Sequence, residues 1–475
     1  MLTNGKGNFN RYILTQRGVY MGQLEQLFNI LTEFDSEIEI LINEQNELHI
    51  TSNAMGYEHC FETNTDGDID ELKEEIDIFV KSKKIEIAFQ EITPNIEIEW
   101  YGDDEIIANS SDWDKEIYLE LNDEYKTVDD LIGFVNKLKT YNYVECESCY
   151  ENDYVEYIVS FKDWKYDYLK YKLYGIEDIE TKIIYEISPI SQELLTLIRI
   201  NERYDMDEFY DEDLITLKIK NINSVIGISV EDECFYEKCE QIAKSIIFDI
   251  SRKYGVDIYL SHFICSYLDL GDEIYSIQDE VIEKRCIFTN DYDKDLVEYY
   301  YEAMQMDISE FQYMAFYRVI ECIFDEVYKY ETIQDVKYII NSDTFSSYDD
   351  KDIINIVDIV EKYQKQKNDR EKIRLVFEKY LKGTIRDEAF YIVNKDLIKI
   401  LKDDLNMIKR EEELKDCQKI GNIIYDFRCR CTHSNRAFNY RGNFDDNLEE
   451  LEKYINLIKK ICQRIIVNYS VSSIN

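Results

Sequence analysis

Only two prolines occur in the 475 residues, Pro94 and Pro189, so the last 286 residues contain none. Proline removes a backbone donor and collides with the preceding turn, so a long stretch without it lets helical periodicity run uninterrupted. Apolar spacing after Asn290 agrees. Ser309 with Gln312 reads as a capping box ahead of Phe311, Ala315, Val319, Cys322 and Ile323, recurring at three- and four-residue intervals on a predicted core-facing helix. The polar stretch Asn341–Asp350 separates it from Ile353, Ile356, Val357 and Val360, and Thr384 with Asp387 opens a further helix. Leu414, Cys417, Ile420, Ile424 and Phe427 form one later stripe. Leu448, Leu451, Ile455, Ile458, Ile461 and Ile465 form the last. Such stripes predict an all-helical bundle.

Before Pro189 the texture differs. Glu37-Ile-Glu-Ile-Leu-Ile-Asn, Lys84-Ile-Glu-Ile-Ala-Phe-Gln and Asn95-Ile-Glu-Ile-Glu-Trp alternate apolar and charged residues, the period of a half-buried strand. Thr127 with Asp130 forms a capping box before Leu131, Phe134, Val135 and Leu138. A second mixed stretch predicts strands at Ile215–Ile219, Val225–Val230 and Val256–Leu260 and a helix at Tyr236–Lys253. The fold class is therefore α+β: a mixed N-terminal region followed by an all-α bundle. The expected domains are 1–185, a second mixed lobe at 186–290 that is either separate or continuous with the first, and a helical domain at 291–475, with Asn290-Asp-Tyr-Asp-Lys as the boundary.

Charge narrows function. With 99 Asp+Glu against 55 Lys+Arg the formal charge is -44, which excludes a general phosphate-neutralising surface because that mode needs clustered cations. No apolar run reaches the ~18 residues of a membrane span, and the N-terminus lacks a signal-peptide core, so a cytoplasmic protein without membrane contact is expected. Twelve cysteines in a chain of this size read as buried thiols rather than a disulfide framework.

The charge is uneven. Residues 401–475 hold 13 Lys+Arg and 12 Asp+Glu, leaving a net of -45 on residues 1–400. Within this neutral tail, Phe427 to Phe444 contains Arg428, Arg430, Arg436 and Arg441 and no acid. Arginine forks two donors to a phosphate, so the stretch is a candidate anion site; the competing reading is a helix end whose arginines favour the negative end of the dipole.

The run Tyr425-Asp-Phe-Arg-Cys-Arg-Cys-Thr-His433-Ser-Asn places Arg428 and His433 in an Arg-x4-His arrangement between two amphipathic helices. This resembles the HEPN superfamily, whose signature is Arg followed four to six residues later by His in a helical bundle. Tyr299-Tyr-Tyr-Glu-Ala and Ala315-Phe-Tyr-Arg-Val-Ile-Glu321 are similar to the first long helix of HEPN domains in bacterial defence proteins of the ApeA-like kind. The resemblance covers about the last 185 residues. It implies a HEPN-like bundle, a homodimer formed through it, and metal-independent endoribonuclease activity with RNA as partner and no cofactor. In that reading Arg428 binds phosphate and stabilises transition-state charge, and His433 transfers a proton, leaving a 2′,3′-cyclic phosphate. Arg430, Asn435 and Arg436 would contribute to RNA binding. The implied setting is anti-phage or abortive-infection defence, with a phage or host protein as trigger and an acidic N-terminal sensing or restraining region.

Two competing readings stand beside it. Family members often carry Asn or another polar residue after the motif Arg, whereas this chain has Cys429, a weak hydrogen-bond former, which suits a non-catalytic HEPN binding or dimerisation module. An acidic adaptor that binds a basic partner is the other. Elsewhere, Glu62–Lys73 imitates a calcium loop but has Glu62 at its first position and Lys73 at its last, so a turn into a helix is expected. Cys146-x-x-Cys149 and Cys234/Cys239 do not complete a zinc site, so no metal is assigned. His49 fits a strand, His59 a loop, and His262 a structural position. No phosphate-loop or dinucleotide glycine motif is present.

Overall fold

A computed structural model describes residues 38–42, 47–52, 57–62, 69–93, 95–101, 105–110, 116–121, 125–144, 147–161, 176–177, 183–201, 214–261, 292–306, 309–365, 368–382, 387–432 and 448–473. The chain divides into two compact units, one of residues 1–149 with 190–213 and one of residues 150–189 with 214–475. Strands lie in the N-terminal half, and among the described residues none follows Leu260. No helix among them is long and apolar enough to cross a membrane.

The first unit opens with an antiparallel meander of β1 (Ile38–Ile42), β2 (Glu47–Ser52) and β3 (Tyr57–Glu62), in which Ile40 faces Ile50 and Ile50 faces His59. His59 is thus a strand residue rather than a loop residue. Helix α1 (Ile69–Gln90) follows, packed on a second meander of β4 (Ile96–Tyr101), β5 (Glu105–Ser110) and β6 (Ile117–Glu120). Residues 84–90, expected as a strand, form the last turns of α1. Period two and period 3.6 coincide at i and i+4, so Ile85 and Phe89 fit both; Ile76, Phe79 and Val80 one and two turns earlier decide for the helix.

Helix α2 (Val128–Leu138) carries the expected capping box: Thr127 N donates to Asp130 Oδ2 at 2.8 Å and Asp130 N to Thr127 Oγ1 at 3.2 Å. Its predicted face, Leu131, Phe134, Val135 and Leu138, is buried. Strands β7 (Asn142–Val144) and β8 (Ser148–Glu151) come next, and the chain enters the second unit within β8. Helix α3 (Gln192–Asn201) returns to the first unit, where Lys137 Nζ pairs with Glu193 at 2.7 Å.

The second unit contains antiparallel ladders joining β10 (Ile176–Glu177) to β11 (Ile184–Pro189), β11 to β12 (Ile215–Lys220) and β12 to β9 (Tyr154–Phe161), with β13 (Ile258–Leu260) on the end of β9. Glu156 lies inside this sheet, its carboxylate accepting from Thr216 Oγ1 and the Tyr154 hydroxyl, each at 2.8 Å. The expected strand at 225–230 is not one. A short helix α4 (Asn223–Ile226) ends there on Gly227, whose φ of 64° lies in the left-handed region that favours glycine. Helix α5 (Phe235–Tyr254) lies where 236–253 predicted it.

Helical elements make up the rest: α6 (Lys294–Gln305), α7 (Ser309–Cys322), α8 (Phe324–Ile340), α9 (Asp350–Lys365), α10 (Asp369–Val376, widening to π geometry over Phe377–Lys382), α11 (Asp387–Val393), α12 (Lys395–Lys399), α13 (Cys417–Thr432) and α14 (Leu448–Ser473). Asp293 caps α6, accepting from Asp295 N and Leu296 N, so the predicted boundary begins a helix. Gln312, expected in a capping box, instead donates to the Ala303 carbonyl of α6 at 3.1 Å. On α7, Ala315 and Val319 are buried as expected, as is Ile323 just past its end, but Phe311 and Cys322 are exposed; Tyr313, Phe316, Tyr317 and Ile320 complete the buried face. The stripe from Leu414 to Phe427 is fully buried, and on α14 Leu451, Ile458, Ile461 and Ile465 are buried while Leu448 is exposed.

The sheet of the second unit and these helices share one core across the boundary at 290. Phe248 of α5 meets Tyr292 and Tyr300 edge-on at 4.9 and 5.0 Å between ring centroids. The buried Tyr300 hydroxyl lies 2.9 Å from Ser251 Oγ and accepts from Gln463 Nε2 at 2.6 Å. Ser251 donates to Asp257, which also pairs with Lys459 of α14.

Candidate functional site

Helix α13 carries Arg428, and its placement follows from the buried stripe on the other side of the helix. Phe427 stacks on Tyr454 of α14 at 3.7 Å and meets Tyr313 of α7 edge-on at 4.7 Å. The Tyr313 hydroxyl donates to the Ile424 carbonyl at 2.8 Å, pinning α7 and α13 in register. That register sets Tyr317 and Glu321, one and two turns further along α7, opposite Arg428, one turn beyond Ile424.

The Arg428 guanidinium carbon sits 5.6 Å from the Tyr317 ring centre, a cation over an aromatic face. Glu321 Oε1 lies 3.9 Å from Arg428 Nη2, beyond hydrogen-bond length, and is the one carboxylate within 4.0 Å of Arg428 among the described residues. Arg428 Nε and the Tyr317 hydroxyl are both buried without a hydrogen-bond partner. Buried donors are ordinarily satisfied, so two orphans side by side are an unusual feature of this cluster. The Arg428 side chain keeps 23% of its surface exposed.

Charge around the cluster is balanced against burial. Burial opposes the Arg428 cation, but Tyr317 and Glu321 beside it more than compensate and hold it firmly protonated. Burial pushes the Glu321 carboxyl above its ordinary range and Asp369 adds to this, while Arg428 pulls it partly back. Burial likewise raises the Tyr317 phenol, with Glu321 next. Arg370 flanks the site on α10, donating from Nη1 to Asn422 at 3.0 Å, pairing with Asp426 and lying 4.6 Å over Tyr425.

Arg430 does not join Arg428. Two residues apart on a helix is about 200°, and Arg430 turns to the other side, bound to Glu450 at 3.4 Å and packed 4.9 Å over Phe427. Cys429 is buried at 6% exposure, its thiol beside Tyr425 and Arg428. His433, Asn435 and Arg436 lie outside the described residues, as do Cys146, His262 and Thr384. No cluster of metal-ligating side chains occurs among the described residues.

Tyr317, Glu321, Asp369 and Arg370 were not singled out as site residues from sequence. Glu321 stands 107 positions before Arg428 with no local motif joining them; only the register of α7 against α13 does. No protein-family model, curated protein or solved structure matches this chain.

Proposed function

We propose that the chain is a metal-independent endoribonuclease of the HEPN type, with the cluster at Arg428 as its phosphate-binding half. The observation that supports this reading is the Arg428 guanidinium itself: charged, partly exposed, with a buried Nε that has no hydrogen-bond partner and with Glu321 held at 3.9 Å, beyond hydrogen-bond length. A phosphodiester oxygen would take the place that Glu321 approaches but does not fill.

In this mechanism the ribose 2′-oxygen attacks the adjacent phosphorus as its proton leaves, the bond from phosphorus to the 5′-oxygen breaks, and a 2′,3′-cyclic phosphate and a 5′-hydroxyl result. Arg428 stabilises the charge on the non-bridging oxygens, and His433 moves the proton at the attacking or leaving oxygen. Tyr317 and Glu321 position Arg428. The biological role would be defence against phage, with the acidic residues 1–290 sensing or restraining and with RNA as substrate. The buried thiol of Cys429, in place of a polar side chain, favours the second reading, a non-catalytic module of the same type.

The deciding experiment expresses wild type, Arg428→Ala and His433→Ala at matched protein levels, with and without phage, and follows growth and total RNA. RNA fragments ending in cyclic phosphate with wild type, absent with both variants, are expected. Intact RNA in every arm would leave the non-catalytic reading.

A further inference from the structure

Helices α4, α5 and α6 of the second unit border a cavity of about 260 Å³. Three ammonium groups line it, Lys238 and Lys244 from α5 and Lys294 from α6, with Glu298 of α6 as the one acid in the lining. In a chain with a formal charge of -44, a wall of three cations and one acid runs against the composition. One face of α5 supplies its share, because Lys238, Gln241, Ile242 and Ser245 recur at helical spacing.

The charges are not equivalent. Lys244 Nζ donates to both oxygens of Glu298 at 2.8 Å, pairs with Glu240 at 2.8 Å and lies 5.0 Å over the Tyr301 ring, so its charge is met. Glu298 is held in that bond. Lys238 and Lys294 make no ion pair with a described residue. The acids beside them in sequence are engaged elsewhere: Glu237 accepts from Gln241 at 3.2 Å, and Asp293 caps α6. Two like charges on one small cavity repel, and an anion set between them relieves the repulsion. Val225 and Ile226 of α4, Ile242 of α5 and Val297 of α6 form the apolar part of the wall.

We infer that this cavity binds a phosphate monoester with a compact, flat body, the phosphate between Lys238 and Lys294 and the body against the four apolar side chains. A phosphate monoester carries about -1.5 to -2 near neutral pH and so matches two ammonium groups, whereas a carboxylate matches one. The volume lies just under the ~300–1,000 Å³ of ordinary small-molecule sites, which selects a compact ligand. Nucleoside monophosphates and sugar phosphates share the phosphate chemistry, but only the former offer a base with an apolar face to Val225, Ile226, Ile242 and Val297. No residue of the Arg428 cluster lines the cavity, so the inference stands apart from RNA cleavage.

Isothermal titration calorimetry on the full chain tests this, with uridine monophosphate, glucose phosphate, inorganic phosphate and uridine as probes. Wild type should bind one equivalent of uridine monophosphate. Glucose phosphate and inorganic phosphate should bind at least about 10-fold more weakly for want of the apolar contact, and uridine at least about 100-fold more weakly for want of charge. Lys238→Ala/Lys294→Ala should weaken uridine monophosphate about 100-fold, roughly tenfold for each charge-assisted bond. Lys294→Glu alone, at an exposed position in the first turn of α6 where an acid suits the helix dipole, should cost at least about 10-fold with an unchanged circular dichroism spectrum. Lys337→Ala, on α8 and outside the cavity, should bind as wild type does. Absence of binding to wild type at about 1 mM overturns the proposal. So does affinity unchanged in the double variant, as binding at Arg428 would give, or uridine or inorganic phosphate binding as tightly as uridine monophosphate.

Discussion

Gly421 lies on α13, two turns before Arg428 and about 20° from it around the helix. A Cβ placed there would sit 2.9 Å from Cγ2 of Ile373 on α10, closer than carbon atoms tolerate. Gly421→Ala should therefore gain ~1 kcal/mol of helix propensity and lose ~1–3 kcal/mol to overpacking, a net loss of up to about 2 kcal/mol. Gly133, exposed on α2 with nothing within 4 Å of the same hypothetical atom, is the internal comparison. Gly133→Ala should stabilise its unit by ~1 kcal/mol. Urea unfolding followed by far-ultraviolet circular dichroism measures both. Ile373→Leu removes the obstructing methyl at constant volume, so the double variant with Gly421→Ala should recover most of the loss. If Gly421→Ala stabilises as Gly133→Ala does, the close approach of α10 and α13 is not what selects glycine, and the tight packing beneath Arg428 loses its support. If RNA cleavage is present, Gly421→Ala should lower it more than it lowers stability, because a shift near 1 Å at a positioned group costs about 100-fold.

Two further outcomes are expected. Glu321 has its folded pKa raised by burial, so the folded chain holds that proton more tightly than the unfolded chain. The associated stability is present below the ordinary carboxyl range and is lost as pH rises through the raised value. Subtracting Glu321→Gln from wild type at each pH in urea midpoints should show that decline, and a difference that rises with pH would contradict it. Tyr300→Phe should cost ~1–3 kcal/mol, since it strips Gln463 and Ser251 of a buried partner, whereas Tyr317→Phe, which removes an orphan hydroxyl, should be near neutral in the same assay.

The helical stripes were legible from spacing because burial on one face leaves a period that neighbouring residues cannot hide; the run from Leu414 to Phe427 is the clearest case. The capping box at Thr127 was legible because both of its bonds are local. Misreadings came where two periods coincide, as at Ile85 and Phe89, or where one backbone angle decides, as at Gly227. On α9 the stripe Ile353, Ile356, Val357 and Val360 was expected to pack in the bundle, yet Ile353, Val357 and Val360 are exposed, because spacing marks an apolar face without saying what covers it. Arg428 was legible through an acid-free stretch in an acidic chain. Its neighbours Tyr317 and Glu321 were not, because a site built across two helices leaves no linear signature.

The bonds from Ser251 and Asp257 to Tyr300, Gln463 and Lys459 have a practical consequence for dissecting the chain. A gene fragment starting at residue 291 would encode helices stripped of the aromatic and polar partners supplied by Phe248, Ser251 and Asp257, and would expose Tyr300 to water. Any toxicity assay on such a truncation would report misfolding rather than release from restraint. A cut that respects the folded unit must keep residues 150–189 and 214–261 with the helices, even though the sequence between them, 190–213, belongs to the other unit.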